Sequence, residues 1–391
     1  MKTKIYDCDR HVIEPLTVWT DYVDHTPIQG FAVSMLHDTD AARRERAQRL
    51  GKSGDVAITP QYFIGDHIIL ADWNEAMQLA CAYKNDDSHD NRYAAMQATT
   101  QLASMDQDHI TRASLLPTFA TFIVNNELIP AQVSLAYAQG YNQWLLEYAT
   151  QSPSRLNPVG LISRHDPANM VAQLLSLIEQ GFTSVILRPE PINGHSLGDP
   201  VYEAFWHACA KHNTAVVFHG GTHLHAPTAG RDRYTSHFAL HACSHPHEIQ
   251  MAFLSLLESG VLERHPKLKC AFLEAGCAWL PHWLWRLDNI CYPEFPSLTR
   301  DNIKMLPSEY FKRQCWVSFE VDEPCIGQVI EMIGHKNLVF ASDFPHPDHT
   351  DFELSASTPI CQLLDDQQLE DVLFNNAVEL YHGEISSAGE S

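Results

Sequence analysis

Four short apolar runs in this chain each end in a residue able to bind a metal ion. The first runs into Asp9-Arg10-His11, the second into His219-Gly220-Gly221, the third into Glu274 and the fourth into Asp343, with His346 three residues on. Carboxylates and imidazoles together can hold one divalent cation, which lowers the pKa of a bound water or polarises a substrate oxygen. Alternate residues on a strand share a face, so Asp9 and His11 point together while Arg10 points away. The same spacing also serves a structural Asp–His hydrogen bond. The glycines after His219 suggest close backbone approach to a ligand, although a strand-end histidine can be a satisfied structural group. Asp343 can bind a metal and also take a proton from metal-bound water, or it can be a turn residue. His346 is read as a donor to substrate or an outer partner, against the plain reading of a loop histidine. Buried Glu274 needs a partner, which the metal, a histidine or Arg286 could supply; left unpaired it would suit general acid work. Arg188 could clamp a substrate carboxylate in bidentate fashion or pair with Glu190. His245 and Trp279 complete the expected substrate contacts. His223 and His225 have a chelating spacing, but a His-rich cap is the reading preferred for them.

These residues need elements that bring them together. Eight strand candidates occur: Lys4–Cys8, Arg112–Thr118, Leu156–Ile162, Thr183–Arg188, Ala215–His219, Leu268–Glu274, Cys315–Glu320 and Leu338–Asp343. Helical patterns separate most of them, at Gln132–Ala149, Met170–Gln180, Tyr202–His212, His247–Ser259, Cys325–Ile333 and finally Gln368–Tyr381. Strands alternating with helices argue for parallel βα units, and eight of them for a closed barrel. No glycine fingerprint of a dinucleotide site occurs. The expected fold is therefore a distorted (β/α)8 TIM barrel forming a single domain over residues 1–383. In such barrels the C-terminal strand ends converge on one face, where catalytic residues sit. Two insertions leave that face: residues 23–100 after the first strand, with a charged helical piece at Ala41–Leu50 and a polar helix at Asn91–Gln107, and the His-rich loop 222–246 after the fifth strand. Residues 384–391 read as a flexible tail.

Composition narrows the partners. Hydrophobic residues make up 45% of the 391, enough for a large core. The formal net charge of -22 argues against nucleic acid and anionic membrane as partners. The 10 cysteines show no CxxC spacing and read as buried reduced thiols. The chain opens directly into a strand without a signal core, so a cytoplasmic location is expected. A homodimer is the default assembly, because barrel helices with exposed apolar faces often pair.

With these residues in view, the chain resembles the amidohydrolase-related family, the branch of the amidohydrolase superfamily that includes aminocarboxymuconate-semialdehyde decarboxylase and related aromatic-acid decarboxylases. The matching stretches run from Asp7-Cys8-Asp9-Arg10-His11-Val12-Ile13-Glu14-Pro15 to Phe340-Ala341-Ser342-Asp343-Phe344-Pro345-His346-Pro347-Asp348, with Phe218-His219-Gly220, Gly260–Pro266 and Glu274–Asp288 between them. The resemblance implies a distorted (β/α)8 barrel, one divalent cation, and hydrolysis or nonoxidative decarboxylation of a small molecule. Carried over by position, Asp9, His11, His219 and Asp343 become the metal ligands, with zinc the first choice and iron or manganese also suited to an aspartate ligand. The chain departs from the family in two places. It has Asp9-Arg10-His11 where many members have His-x-His, and Glu274 where decarboxylase members usually have a histidine. On these grounds hydrolysis of an amide, ester or lactone is narrowly favoured, with Asp343, Glu274 and His346 as the catalytic groups. Decarboxylation of an aromatic or unsaturated acid stands second, and a non-enzymatic binding barrel last.

Overall fold

The computed structural model describes residues 4–36, 44, 47–48, 53, 61–65, 67–68, 94–221, 227–234, 236–294, 296–346, 354–355 and 357–382. Its centre is a ring of parallel strands: β1 (Tyr6–His11), β5 (Arg112–Leu116), β6 (Leu156–Pro158) with β7 (Gly160–Leu161), β8 (Ser184–Leu187), β9 (Ala215–His219), β10 (Cys270–Leu273), β11 (Cys315–Phe319) and β12 (Leu338–Phe340). Between β1 and β5 lies a small antiparallel sheet of β2 (Val33–Leu36), β3 (Gln61–Ile64) and β4 (His67–Ile68). The eight expected barrel strands are therefore all present in one order, and a distorted (β/α)8 barrel is the fold.

The strands read as unbroken apolar runs because a parallel barrel strand is covered on both faces, by the interior packing and by the outer helices. All five residues of β9 are buried, as are all four of β10. Phe218 and Phe272 stack at 5.3 Å between ring centroids, and Phe253 and Phe311 close around Phe272 at 5.9 and 6.0 Å. The expected strand Leu156–Ile162 is interrupted at Val159. Pro158 has no N–H for a ladder, and hydrogen bonding changes hands there: the first half pairs with β5 and the second with β8.

Closure is made by side chains as much as by backbone. The Ser342 N–H donates to Asp7 Oδ1 (3.0 Å) and its hydroxyl to Asp7 Oδ2 (2.6 Å). The Asp343 N–H donates to the Asp9 carbonyl (2.9 Å) and the His11 N–H to the Phe344 carbonyl (2.7 Å). The first and last strands are thus tied at the rim where the candidate residues sit. Outside the ring, helices occur at Ala131–Ala149, Met170–Glu179, Glu203–Lys211, Pro246–Glu258, Pro307–Gln314 and Ile326–Ile333. The Met170–Glu179 helix ends as the sequence suggests, with Gly181 at φ 96, a conformation that costs other residues a Cβ clash.

Several expectations differ in the structure or fall on residues outside the described ones. The C-terminal helix is not uniform: a wide π-type turn over Asp371–Asn375 separates Asp366–Glu370 from Asn376–His382, and at this turn Asp371 meets Lys336, His335 and Asn375. The stretch read as a His-rich loop contains a helix at His237–Ser244, capped by the Ser236 hydroxyl. Of the helical piece at Ala41–Leu50 only Arg44, Ala47 and Gln48 are described, and they are helical; of the polar helix, Ala98–Gln107 is observed. His223, His225 and residues 384–391 lie outside the described residues. Among the described residues no helix is long and apolar enough to cross a membrane.

Candidate metal centre

Side chains from the ends of β1, β9, β10 and β12 meet at the C-terminal rim. His11 Nε2 lies 3.1 Å from Asp9 Oδ1 and 3.0 Å from His219 Nε2. His219 Nε2 lies 3.3 Å from Asp9 Oδ1 and 2.9 Å from Glu274 Oε2. Asp343 Oδ1 is 3.6 Å from His11 Nε2 and 2.7 Å from His346 Nδ1. Two overlapping sets result, Asp9, His11, His219 and Glu274, and His11, Glu274, Asp343 and His346; within each, one ligand atom per residue lies within 4.8 Å of the others.

Strand alternation explains the first pair. Arg10 points the other way, into a buried nest with Asp7 (3.3 Å), Ser104 (2.6 Å) and Asp108 (3.2 Å), and lies 4.1 Å from the Phe344 ring centroid. Glu274 and Asp343 reach the rim differently. Both stand just past their strands in left-handed backbone, at φ 67 and φ 54. That conformation costs a non-glycine residue roughly 1–3 kcal/mol and clusters at functional sites. Here it swings each carboxylate over the barrel mouth.

The donor set fits a divalent cation. The His11 ring donates from Nδ1 to the Pro117 carbonyl (2.9 Å) and the His219 ring from Nδ1 to the Gly220 carbonyl (3.1 Å). Both rings therefore turn Nε2 into the cluster, the arrangement that metal-ligating histidines use. Asp9 Oδ1, Glu274 Oε2 and Asp343 Oδ1 are buried, make no hydrogen bond of good geometry, and have imidazole nitrogens of His11, His219 and His346 as their near neighbours. Buried carboxylate oxygens without well-formed hydrogen bonds are costly, and a cation among them would satisfy all three. The mixture of nitrogen and oxygen donors suits zinc, manganese or iron(II).

The same crowding shifts the titrations. Burial opposes charge on Asp9, but His219 and His11 together outweigh it and hold the carboxyl at about 2. Burial likewise opposes charge on Glu274, and His219 with His245 outweighs it, holding it well below the usual range. His219 resists charging through burial, yet Glu274 and Asp9 push it well above an ordinary imidazole. Burial, then repulsion from Glu274, pushes Asp343 well up. Protons on His219 and Asp343 thus neutralise a cluster that a cation would otherwise neutralise, so cation binding here releases protons.

Beside the cluster lies a cavity of about 630 Å³, lined by Asp9, Glu274, Asp343, His241, His245, Ser318, Glu320 and Phe340 among others. His245 Nδ1 is 3.4 Å from Glu274 Oε1, its ring lies 4.2 Å from that of His241, and its buried Nε2 makes no hydrogen bond. Glu274 therefore lies at ion-pair distance from His219 and His245 rather than from Arg286.

The structure gathers Asp9, His11, His219, Glu274, Asp343, His346 and His245. It does not bring Arg188 or Trp279 to this cavity. Arg188 is buried and donates to Glu190 (2.8 Å) and to the carbonyls of Gly220 and Gly221 (2.5 and 2.6 Å), so it braces the turn after His219. Gly221 sits at φ 133, and a Cβ there would come within 2.7 Å of the Arg188 guanidinium. Trp279 is buried, donates to the Gly276 carbonyl (3.0 Å) and packs on Phe311. Sequence reasoning missed Asp7, Glu14, Thr118 and Ser318. Asp7 and Glu14 carried a signal, their place in the run from Asp7 to Pro15; Thr118 and Ser318 depend on which strands become neighbours.

A family model described as amidohydrolase matches residues 6–383. The 2-amino-3-carboxymuconate-6-semialdehyde decarboxylase of Dictyostelium discoideum is 24% identical over 218 residues, 55% of this chain and 58% of that protein, so the match spans less than two thirds of the relative's length. Among solved structures, an amidohydrolase from Mycobacterium avium subsp. paratuberculosis K-10 superposes with a TM-score of 0.74 at 19% identity, covering 99% of this chain and 100% of that one. A 5-carboxyvanillate decarboxylase from Novosphingobium aromaticivorans DSM 12444, complexed with manganese and 4-hydroxy-3-methoxy-5-nitrobenzoic acid, superposes at 0.67 and 15% identity, covering 97% and 96%. At these identities the structural likeness bears on the fold.

Proposed function

This chain belongs to the amidohydrolase family, and from that premise we propose that it is a metal-dependent nonoxidative decarboxylase of a small aromatic or unsaturated carboxylic acid. The sequence alone put hydrolysis first. Its relatives turn that order round, since both the curated relative and the manganese-bound structure are decarboxylases. The observation in this molecule that carries the reading is the convergence of three buried carboxylates on two inward-facing imidazoles, opening on a cavity sized for a small ring acid.

Asp9, His11, His219 and Glu274 would hold the cation, with Asp343 beside them. A bound divalent cation supplies Lewis acidity towards the oxygens of the substrate. Decarboxylation breaks the bond between the substrate carbon and its carboxylate, releases carbon dioxide, and requires one proton at the vacated carbon. Asp343 stands at the cation site with His346 Nδ1 2.7 Å from its Oδ1, so its carboxyl is the group placed to pass that proton to the vacated carbon. His346, with Nδ1 beside Asp343 and Nε2 at 3.0 Å from the Thr118 hydroxyl, returns a proton to it. His245 and Ser318 face the substrate from the cavity wall.

The test is a product assay on a panel of hydroxybenzoates, carboxymuconate-type acids and small lactones, in heavy-oxygen water and separately in deuterium oxide. The expected result is carbon dioxide release with one deuterium at the vacated carbon. Solvent oxygen in the product without carbon dioxide would return the assignment to hydrolysis.

A further inference from the structure

The run that begins at Asp7 continues past the ligands to Glu14, a residue that the reaction proposed above does not use. Its side chain is fully buried. It accepts three backbone N–H groups, from Thr118 (3.1 Å), Phe119 (2.9 Å) and Ala120 (3.0 Å). These residues follow β5 directly and lead into the short helix Phe119–Val124. Two side contacts leave this turn for the metal cluster. The Pro117 carbonyl accepts from His11 Nδ1 at 2.9 Å, and the Thr118 hydroxyl meets His346 Nε2 at 3.0 Å. The two rings lie 4.0 Å apart between centroids.

We infer that Glu14 is a positioning residue that sets the orientation of His11 and His346 together, through the turn at Pro117–Ala120. A buried side-chain carboxyl that accepts three neighbouring backbone N–H groups is a strong local clamp. It fixes where the Pro117 carbonyl stands, and that carbonyl decides which His11 nitrogen keeps its hydrogen and which faces the cluster. The segment thus holds two ligands, Asp9 and His11, and three residues later the group that aims the second of them. This inference rests on the metal reading above.

The test compares wild type, Glu14→Gln and, as a control, His219→Ala. Gln keeps the shape but turns one acceptor oxygen into an amide donor facing backbone N–H groups. The readouts are zinc affinity, by competition with a chromophoric chelator, and hydrogen exchange at His11 Nδ1 in nitrogen-15-labelled, zinc-loaded protein. Outer partners of metal ligands change affinity by roughly 10–100-fold, so Glu14→Gln is expected to bind zinc at least about tenfold more weakly and to exchange the His11 hydrogen at least about tenfold faster. A merely structural role would lower the melting midpoint and leave both readouts alone. If Glu14→Gln does not fold, Glu14→Asp, which keeps the charge but shortens the reach, carries the same comparison. Affinity and exchange within about twofold of wild type, with the His219→Ala control weakened, would overturn this inference alone. Failure of the wild type to bind zinc, manganese or iron(II) would overturn the metal reading and this inference with it.

Discussion

Replacing His219 by Ala removes the imidazole whose Nε2 touches Asp9 (3.3 Å), Glu274 (2.9 Å) and His11 (3.0 Å) at once. Loss of an outer partner already weakens metal binding by roughly 10–100-fold, so loss of a direct ligand should cost at least about a hundredfold, or about 2.8 kcal/mol. The effect is readable as stability, because a cation that binds only the native state raises the unfolding free energy with its occupancy. At a metal concentration far above both dissociation constants, the metal-dependent part differs between the two proteins by the logarithm of the affinity ratio alone. With an unfolding entropy of about 2.1 cal/mol/K per residue, a chain of 391 residues changes its midpoint by one degree for about 0.8 kcal/mol. The metal-induced rise in melting temperature should therefore be at least about 3 °C smaller in His219→Ala than in wild type. Scanning fluorimetry with and without chelator gives this double difference, and it cancels whatever the lost side chain does to the metal-free protein. Elemental analysis of the dialysed samples supplies the stoichiometry. Equal metal-induced shifts, within about 1 °C, would refute the reasoning, because His219 would then belong to a structural ion network and not to a cation site.

Further outcomes follow from other parts of the molecule. Burial, then repulsion from Glu190, pushes Glu248 up to about 7 from an ordinary value near 4.5, which corresponds to about 3 kcal/mol. A carboxyl raised on folding stabilises below its unfolded pKa and loses that contribution as pH rises through the folded one. Urea melts should therefore show wild type losing stability between about pH 4.5 and 7 relative to Glu248→Gln, and parallel pH profiles would count against it. Arg188→Ala strips a buried Glu190 of its partner and should cost about 3–5 kcal/mol in denaturant melts; a raised KM with unchanged stability would instead restore the substrate-clamp reading. Gly140→Ala would put a Cβ 2.5 Å from Val23 Cγ2 and 3.0 Å from the Tyr22 carbonyl. Overpacking should outweigh the helix gain by about 1–2 kcal/mol, whereas a higher melting midpoint would show that the N-terminal segment yields.

The sequence determined a good deal by itself. Strands buried on both faces must be apolar throughout, so β9 and β10 stand out as short hydrophobic runs, and their polar last residues stand out for the same reason. That legibility extended to Asp9, His11, His219, Glu274 and Asp343, each marked by a strand end, and to His346 three residues further on. It failed where function depends on what lies across space. Arg188 has the same strand-end signature, yet the carbonyls that absorb its guanidinium belong to the next strand's turn, 32 and 33 residues further on. Trp279 looked like a pocket residue until its indole was found on the Gly276 carbonyl. Only the tertiary structure decided that Glu274 pairs with His219 and His245, that Asp7 and Ser342 close the ring across 335 residues, and that Glu14 grips the turn behind His11. The physical reason is that burial is written into a residue's own chemistry and its immediate neighbours, whereas a hydrogen-bond partner is fixed by barrel closure, which no local pattern of residues encodes.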